Sequence, residues 1–112
     1  MTLASRDTDG VRLITVTETR IDAALAIRFK DAMRQAMAGG PDRIVLDLSG
    51  VGFIDSSGLG AVVAAMKALE PGRRLDLCGL GGTVEKVFRL TRLDTVFRIY
   101  PTAEAALSAT DS

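Results

Sequence analysis

Histidine and tryptophan are absent from this 112-residue sequence, and cysteine occurs once, as Cys78. Without histidine the chain cannot build a Ser-His-Asp or Cys-His nucleophile system, and it lacks the commonest zinc ligand. A single cysteine excludes an internal disulfide and makes a structural zinc site implausible. We therefore expect no metal and no cofactor, and we find no nucleophile beside a base that would indicate an enzyme.

Net charge and long apolar runs are also missing. Fourteen basic residues balance fourteen acidic ones, so the chain lacks the positive surplus that binding to nucleic acids or anionic membranes requires. The longest apolar stretch, residues 58–66, is too short to span a bilayer. Arg6, Asp7 and Asp9 interrupt the N-terminus before a signal peptide could develop. We expect a cytoplasmic protein that binds no nucleic acid, does not insert into membranes and is a monomer when free.

Aliphatic residues supply the core. Hydrophobic residues make up 47% of the chain and aromatic residues only 4%, which is enough apolar material for one packed core. The length fits one domain. The sequence therefore predicts a single domain over residues 1–112, with a frayed tail at about 108–112.

Hydrophobic periodicity predicts an α/β fold with the element order ββαβαβαβα. Strands are expected over residues 1–6, 11–17, 44–48, 75–78 and 96–100. Helices are expected from the N-cap Asp22 to the Gly-Gly-Pro at 39–41, from about Ser56 to Leu69, from the N-cap Thr83 to about Thr91, and from Thr102 to Leu107. A tight turn at 7–10 joins the first two strands. Alternating strands and helices imply a mixed, mostly parallel sheet of four to five strands, four helices and an antiparallel N-terminal hairpin.

One stretch resembles a known family. Residues 43–69 read RIVLDLSGVGFIDSSGLGAVVAAMKAL, which is similar to the STAS family of anti-sigma factor antagonists. The DSSGLG segment at residues 55–60, one loop after the VLDLS strand, carries most of the resemblance. The order of elements agrees along essentially the whole chain. One departure is Thr19, three residues before Asp22, where relatives tend to have glycine.

The resemblance implies a bacterial transcription regulator that is controlled at Ser56. A partner anti-sigma factor, itself an ATP-dependent serine kinase, would phosphorylate Ser56. The unmodified protein would bind that factor and release the sigma factor, and a serine phosphatase would reset the phosphorylated form. Ser57 would be the unmodified neighbour, and Asp22 corresponds to the aspartate that opens the family's first helix. The residues expected at the partner surface or switch are Asp22, Asp55, Ser57, Gly58, Leu59 and Gly60.

The physical chemistry of the segment is compatible with that role. Ser56 is predicted at a helix N-terminus, where backbone N–H groups have no intrahelical acceptor and the helix dipole favours negative charge. A phosphate there adds a charge of about −1.5 to −2 at neutral pH. Asp55 opposes it as a neighbouring like charge. We therefore expect the modification to act mainly on the partner surface and only weakly on the fold.

Several alternatives remain. Asp-Ser-Ser at a helix start is often only a cap, and Gly58 and Gly60 fit either close packing on the sheet or a smooth surface that a kinase can approach. Residues 79–83 follow a strand as a nucleotide-binding loop would, but they match neither a dinucleotide fingerprint nor a P-loop. Asp47 invites comparison with receiver domains, but those need an acidic pair after the first strand and a lysine after the last, and this sequence offers one acid, Glu18, and no lysine at that place. A STAS subunit of a membrane lipid-transport ABC complex, with a constitutive structural role, is the second candidate function.

Overall fold

The computed structural model describes residues 1 and 3–109. Its elements follow the chain as β1 (Leu3–Thr8), β2 (Val11–Val16), β3 (Arg20–Ile21), α1 (Ala26–Ala36), β4 (Arg43–Asp47), β5 (Phe53–Ile54), α2 (Ser56–Lys67), β6 (Arg74–Cys78), α3 (Gly82–Leu90), a 3₁₀ turn (Leu93–Thr95), β7 (Ile99–Tyr100) and α4 (Ala103–Ser108).

Five strands form the main sheet in the order β1-β2-β4-β6-β7. The β1–β2 pair is antiparallel, and the pairs β2–β4, β4–β6 and β6–β7 are parallel. Parallel neighbours need crossover connections, which the helices provide. The predicted α/β class, the N-terminal hairpin and the mostly parallel sheet with four helices are thereby confirmed.

A second, two-stranded sheet was not predicted. In it β3 pairs in parallel with β5, so that Arg20 lies opposite Phe53 and Ile21 opposite Ile54. The two isoleucines are buried, whereas Arg20 and Phe53 are exposed. Two residues are too few to show a strand period, so sequence patterning alone does not detect such a pair. This small sheet holds the chain just before α2.

The N-terminal hairpin closes through a two-residue turn. Thr8 pairs with Val11, and the intervening Asp9 and Gly10 have φ of 51° and 80°, the pattern of a type I′ turn. The turn predicted over residues 7–10 is therefore shorter, because β1 continues to Thr8. Asp7 lies opposite Arg12 and accepts a 2.7 Å hydrogen bond from its Nε, which lowers the pKa of the Asp7 carboxyl.

The core lies on both faces of the main sheet. The larger cluster packs between the sheet and α1, α2 and α3, and α4 covers the smaller cluster on the opposite face. In β4, Ile44 and Leu46 belong to the larger cluster and Val45 to the smaller, and all three are fully buried. The prediction that this strand is buried on both faces is thus confirmed. Burial beside Val45, and secondarily the charge of Asp47, raises the pKa of the Cys78 thiol to about 12.

Two predicted N-caps are wrong. Helix α1 begins only at Ala26, after Leu25, which makes no side-chain cap. Asp22 instead starts a turn in which its carbonyl accepts from the amide of Leu25 at 3.0 Å. Helix α3 begins at Gly82 with Gly81 as its N-cap rather than Thr83, because glycine enters a helix without a side chain to be placed. The terminal helix predicted from Thr102 begins at Ala103, with Thr102 as its N-cap, whose hydroxyl accepts from the amide of Ala105.

The ends of several elements also differ from the predictions. Helix α1 ends at Ala36, before the Gly-Gly-Pro stop, and α2 ends at Lys67. The strand predicted over 96–100 is reduced to Ile99–Tyr100, because the 3₁₀ turn precedes it and Phe97 turns inward to pack edge-to-face on Phe88. At the C-terminus Ser108 belongs to α4, and the rest of the predicted frayed tail from residue 110 lies outside the described residues.

The length and composition of the helices show whether any of them could cross a membrane. Within residues 1 and 3–109, none of the helices combines the length and the apolar composition that crossing a bilayer requires.

Candidate functional site

Asp55 holds together the start of α2 and the segment that follows β3. It is the N-cap of α2, with extended backbone angles (φ −103°, ψ −176°). Its Oδ1 accepts from the amide of Gly58 at 2.9 Å, and its Oδ2 accepts from the amide of Ala23 at 3.0 Å. Both oxygens are therefore occupied by backbone donors, which is the geometry of a capping residue that also ties two loops together.

Ser56 and Ser57 occupy the first two positions of α2, as predicted. Both are exposed, and neither hydroxyl has a hydrogen-bond partner in the part of the chain that is described. Leu59 is the first residue of the helix whose amide reaches a backbone carbonyl, that of Asp55 at 2.9 Å. The amides of the two serines thus lie in the first turn, where helices have no intrahelical acceptor. The site presents two hydroxyls and a positive helix end to solvent.

Gly58 is required by the close approach of α2 to β3. A Cβ built on Gly58 would lie 2.1 Å from the carbonyl oxygen of Ile21 and 2.9 Å from Cγ1 of Ile54. Gly58 is buried, and Leu59 beside it is only 7% exposed and belongs to the core. Gly58 and Leu59, which were predicted at the partner surface, are therefore buried beneath it.

Gly60 is in a different situation. It is exposed, and a Cβ built there would meet no atom within 4 Å. Close packing on the sheet therefore accounts for Gly58 and not for Gly60. An exposed glycine within a helix costs about 1 kcal/mol relative to alanine, and packing among the described residues does not require Gly60 to lack a side chain.

Asp22 lies beside this site but does not cap a helix. Its Oδ2 accepts from Nε of Arg20 at 3.1 Å, while Oδ1 is buried and has no hydrogen-bond partner among the described residues. The guanidinium of Arg20 also lies 4.7 Å from the centre of the Phe53 ring, in a cation–π contact. Thr19, the departure noted in the sequence, is exposed and its carbonyl accepts from the amide of Gly52 at 2.8 Å.

Arg20, Phe53 and Ala23 are parts of the site that sequence reasoning missed. A signal was present, because the tripeptides Arg20-Ile21-Asp22 and Phe53-Ile54-Asp55 have the same pattern of exposed residue, isoleucine and aspartate. Alternation in paired strands puts both isoleucines on the buried face and the other four side chains on the outer face. This outer face adjoins Ser56 and includes one aromatic ring, one cation and two carboxylates.

The carboxylate next to Ser56 is already engaged in backbone hydrogen bonds. The Asp55 carboxylate is bound by two amides, so it is not placed to activate the adjacent hydroxyl as a base. Among the described residues no three His, Cys, Asp or Glu side chains converge as a metal site.

Removing the Asp55 carboxylate is expected to destabilise the fold by about 1.5–3 kcal/mol. Loss of an N-cap costs roughly 0.5–2 kcal/mol, and Asp55→Ala also leaves the Ala23 amide without its acceptor, which adds about 1 kcal/mol. Urea unfolding measures the change. Asp55→Asn keeps one acceptor oxygen and should lose roughly half as much. Asp42→Ala, at an exposed position, is the control, and equal stability of Asp55→Ala and this control would contradict the bridging role.

The chain is similar to known proteins over most of its length. The family model for the STAS domain matches residues 2–106. The chain is 32% identical over 98 residues to an anti-sigma-B factor antagonist of Listeria monocytogenes, covering 87% of this chain and 84% of that protein. It is 27% identical over 108 residues to the anti-sigma-F factor antagonist RsfB of Mycobacterium tuberculosis, covering 96% and 88%. A crystal structure of an anti-sigma factor antagonist from Mycobacterium paratuberculosis superposes with a TM-score of 0.85 at 32% identity, covering 96% of this chain and 91% of that one.

Proposed function

Because this chain belongs to the STAS-domain family, we propose that it is an anti-sigma factor antagonist that binds its anti-sigma factor through the surface around Ser56. The observation that carries the proposal is the exposed, unbonded Ser56 hydroxyl at a helix start that Asp55 holds rigid. The names of the relatives from Listeria and Mycobacterium support the class of partner. The protein acts in the cytoplasm by binding, as a monomer when free.

The anti-sigma factor is a serine kinase that phosphorylates Ser56 and thereby ends the complex. Two features of the site support Ser56 as the acceptor. Its hydroxyl is exposed without an intramolecular partner, and the neighbouring carboxylate is committed to the amides of Gly58 and Ala23, so the base must come from the kinase. A serine phosphatase returns the protein to its binding form.

Phosphorylation acts on the interface more than on the fold. The phosphate adds negative charge at a helix N-terminus, which the helix dipole favours by about 0.3–1 kcal/mol. The carboxylate of Asp55 is adjacent in sequence and opposes it. These two contributions have opposite signs, so the stability of the free protein changes little. In a complex the same charge must lose water, and an uncompensated desolvated charge costs far more.

The partner surface consists of the outer face of the β3–β5 sheet and the exposed side of the first turns of α2. Arg20 and Phe53 are exposed; arginine is enriched in interface hot spots, and phenylalanine is enriched at interfaces generally. Gly60 lets a partner backbone approach α2 closely, which explains why an exposed helical position lacks a side chain. Gly58 and Leu59 maintain the surface from below.

Capture from lysate of the source organism tests the proposal. Wild-type protein and Ser56→Asp serve as parallel baits, and captured proteins are identified by mass spectrometry. We expect a kinase-type anti-sigma factor to be held by the wild type and lost from Ser56→Asp. If both baits instead held subunits of a membrane transporter, the constitutive structural role would replace the switch.

A further inference from the structure

A groove of about 470 Å³ runs between α1 and α2 and is open to solvent. Ile27, at the start of α1, is 70% exposed beside it. From α2, Ala68 is exposed and Ala64 is half-buried. The groove is thus an apolar surface that the described part of the chain leaves uncovered, and its apolar lining consists of Ile27, Met37, Ala64, Ala65 and Ala68.

Helix α2 has more apolar sides than the rest of the domain covers. Apart from Ser56, Ser57 and Lys67, all of its residues are glycine or apolar. A helix that is apolar all round is normally covered on every side. The small sheet and α1 pack against α2, but the side that carries Ala64 and Ala68 faces the groove. This side is therefore available to a partner.

Charged side chains lie along the α1 side of the groove. Lys30, Asp31 and Arg34 all line it. Nη2 of Arg34 lies 3.3 Å from Oδ1 of Asp31, so these two charges balance each other. Lys30 is exposed and has no ion pair or hydrogen bond among the residues that the structure describes. One positive charge is therefore unbalanced beside the apolar surface, which favours an occupant that brings a carboxylate.

The walls of the groove are two helices, so an extended occupant would find no strand edge with which to pair. Helical amides and carbonyls bond within each helix, and the carbonyls of Ala36 and Met37, at the end of α1, accept from arginine side chains at 3.0 and 2.8 Å. An extended segment would bring unpaired amides into an apolar contact, which is costly. A helix satisfies its own backbone. The stretch from Ile27 to Met37 is about 15 Å long, enough for roughly three helical turns.

The groove is continuous with the surface around Ser56. Ile27 follows Ala23, the residue whose amide donates to Asp55. On α2, small residues continue from the serines to the groove at steps of three and four, which places them along one side of the helix: Ser57, Gly60, Ala64 and Ala68. A partner seated at Ser56 therefore reaches the groove without crossing a large side chain of α2.

We propose that this groove binds an amphipathic helix of the anti-sigma factor. The helix places aliphatic side chains against Ile27, Ala64 and Ala68 and a glutamate or aspartate beside Lys30. The inference rests on the proposed function for the identity of the partner. It adds a second contact region that contributes affinity, while Ser56 at the other end of the surface controls whether the complex forms.

Calorimetry with the purified anti-sigma factor that the wild-type bait captures tests the groove. Ile27→Ser removes apolar area and Lys30→Glu reverses a charge, and each should raise Kd by about 10-fold or more. The matched controls are Leu90→Ser and Lys86→Glu on α3, because Leu90 is 71% exposed and Lys86 is exposed. Both controls should bind as the wild type does. Thermal unfolding checks that all four variants are folded, as expected for exposed positions.

Ser56→Asp in the same titrations separates this inference from the proposed function. If Ser56→Asp weakens binding but Ile27→Ser and Lys30→Glu do not, the groove proposal is overturned and the proposed function stands. If the two groove variants weaken binding and Ser56→Asp does not, the groove is a contact region and the switch is rejected. Equal weakening by Leu90→Ser and Ile27→Ser would overturn the groove proposal. If the wild type captures no anti-sigma factor, both proposals fail.

A photo-reactive benzoylphenylalanine in place of Ile27 identifies the occupant. After irradiation of the complex, it should be joined to one helical segment of the anti-sigma factor that carries aliphatic residues three or four apart and a neighbouring acidic residue. The same group in place of Leu90 is the control, and equal cross-linking from both positions would overturn the proposal. Cross-linking from position 27 to a second copy of this chain would also overturn it, because the groove would then be an interface between copies.

Discussion

Ser56→Asp is expected to weaken the complex with the anti-sigma factor by roughly 30- to 700-fold in Kd. The reason is that a new carboxylate at the centre of the contact must be desolvated beside Asp55, while the nearby Arg20 is already paired with Asp22. Like-charge and unpaired-charge penalties at interfaces are about 2–4 kcal/mol, and each 1.4 kcal/mol is about tenfold in affinity. Calorimetry with the purified partner measures the change. The phosphorylated protein should show a loss at least as large, because phosphate carries more charge.

Two control variants separate charge at Ser56 from other effects. Ser56→Ala removes the hydroxyl without adding charge and should keep affinity within about threefold, while it can no longer be phosphorylated. Thr83→Asp adds the same charge to the first turn of α3, at an exposed position away from Ser56, and should leave affinity unchanged. Equal weakening by Thr83→Asp and Ser56→Asp would show that net charge, and not the site, controls the complex.

Stability measurements on the same variants test whether the switch is local. Ser56→Asp and the phosphorylated protein should melt within a few degrees of the wild type, because the helix dipole and the Asp55 carboxylate act in opposite directions. A loss of Tm by about 15 °C, which corresponds to roughly 2–4 kcal/mol in a protein of this size, would mean that phosphorylation acts by loosening the fold.

Gly58→Ala should have the largest effect on stability, a loss of about 3 kcal/mol or more. The added Cβ would stand 2.1 Å from the carbonyl oxygen of Ile21, so backbone, and not a flexible side chain, must move. That movement would strain the β3–β5 pairing and the bridge from Asp55 to Ala23. Overpacking commonly costs about 1–3 kcal/mol, and a backbone obstacle places this site at or above that range. Urea unfolding followed by circular dichroism measures it.

Gly60→Ala is the matched control, because it makes the same change two residues later in the same helix. No atom lies within 4 Å of the added Cβ, so the variant should gain up to about 1 kcal/mol from helix propensity. We also expect it to bind the anti-sigma factor more weakly, since the exposed surface is no longer smooth. A more stable variant with unchanged binding would show that Gly60 has no role at the interface. If Gly58→Ala were as stable as the wild type, the backbone of β3 at Ile21 would have to move away from the added Cβ at little cost in free energy.

The arrangement around Ser56 depends on contacts between distant parts of the chain. Asp55 was correctly placed at the helix start by its residue type and position, but its second bond, to the Ala23 amide, joins residues 32 apart in sequence. Asp22 was assigned to a helix start because aspartate is a good N-cap. In the structure the Asp22 carboxylate accepts a hydrogen bond from Arg20 instead, and α1 begins only at Ala26. A capping Asp22 side chain would accept from the amide of Ala24 or Leu25, but the Leu25 amide donates to the Asp22 carbonyl instead.

The sequence alone determined the fold class, the hairpin, the buried central strand β4 and the helix that begins at Ser56. These features follow from hydrophobic period, glycine and proline positions and capping residues, all of which act over a few neighbouring residues. Tertiary structure decided the rest: the β3–β5 sheet, the different reasons for Gly58 and Gly60, and the convergence of Arg43, Arg74 and Asp76. Each of these depends on which distant segments meet when the sheet forms, and no local pattern encodes the distance between two backbones or the sharing of one buried carboxylate.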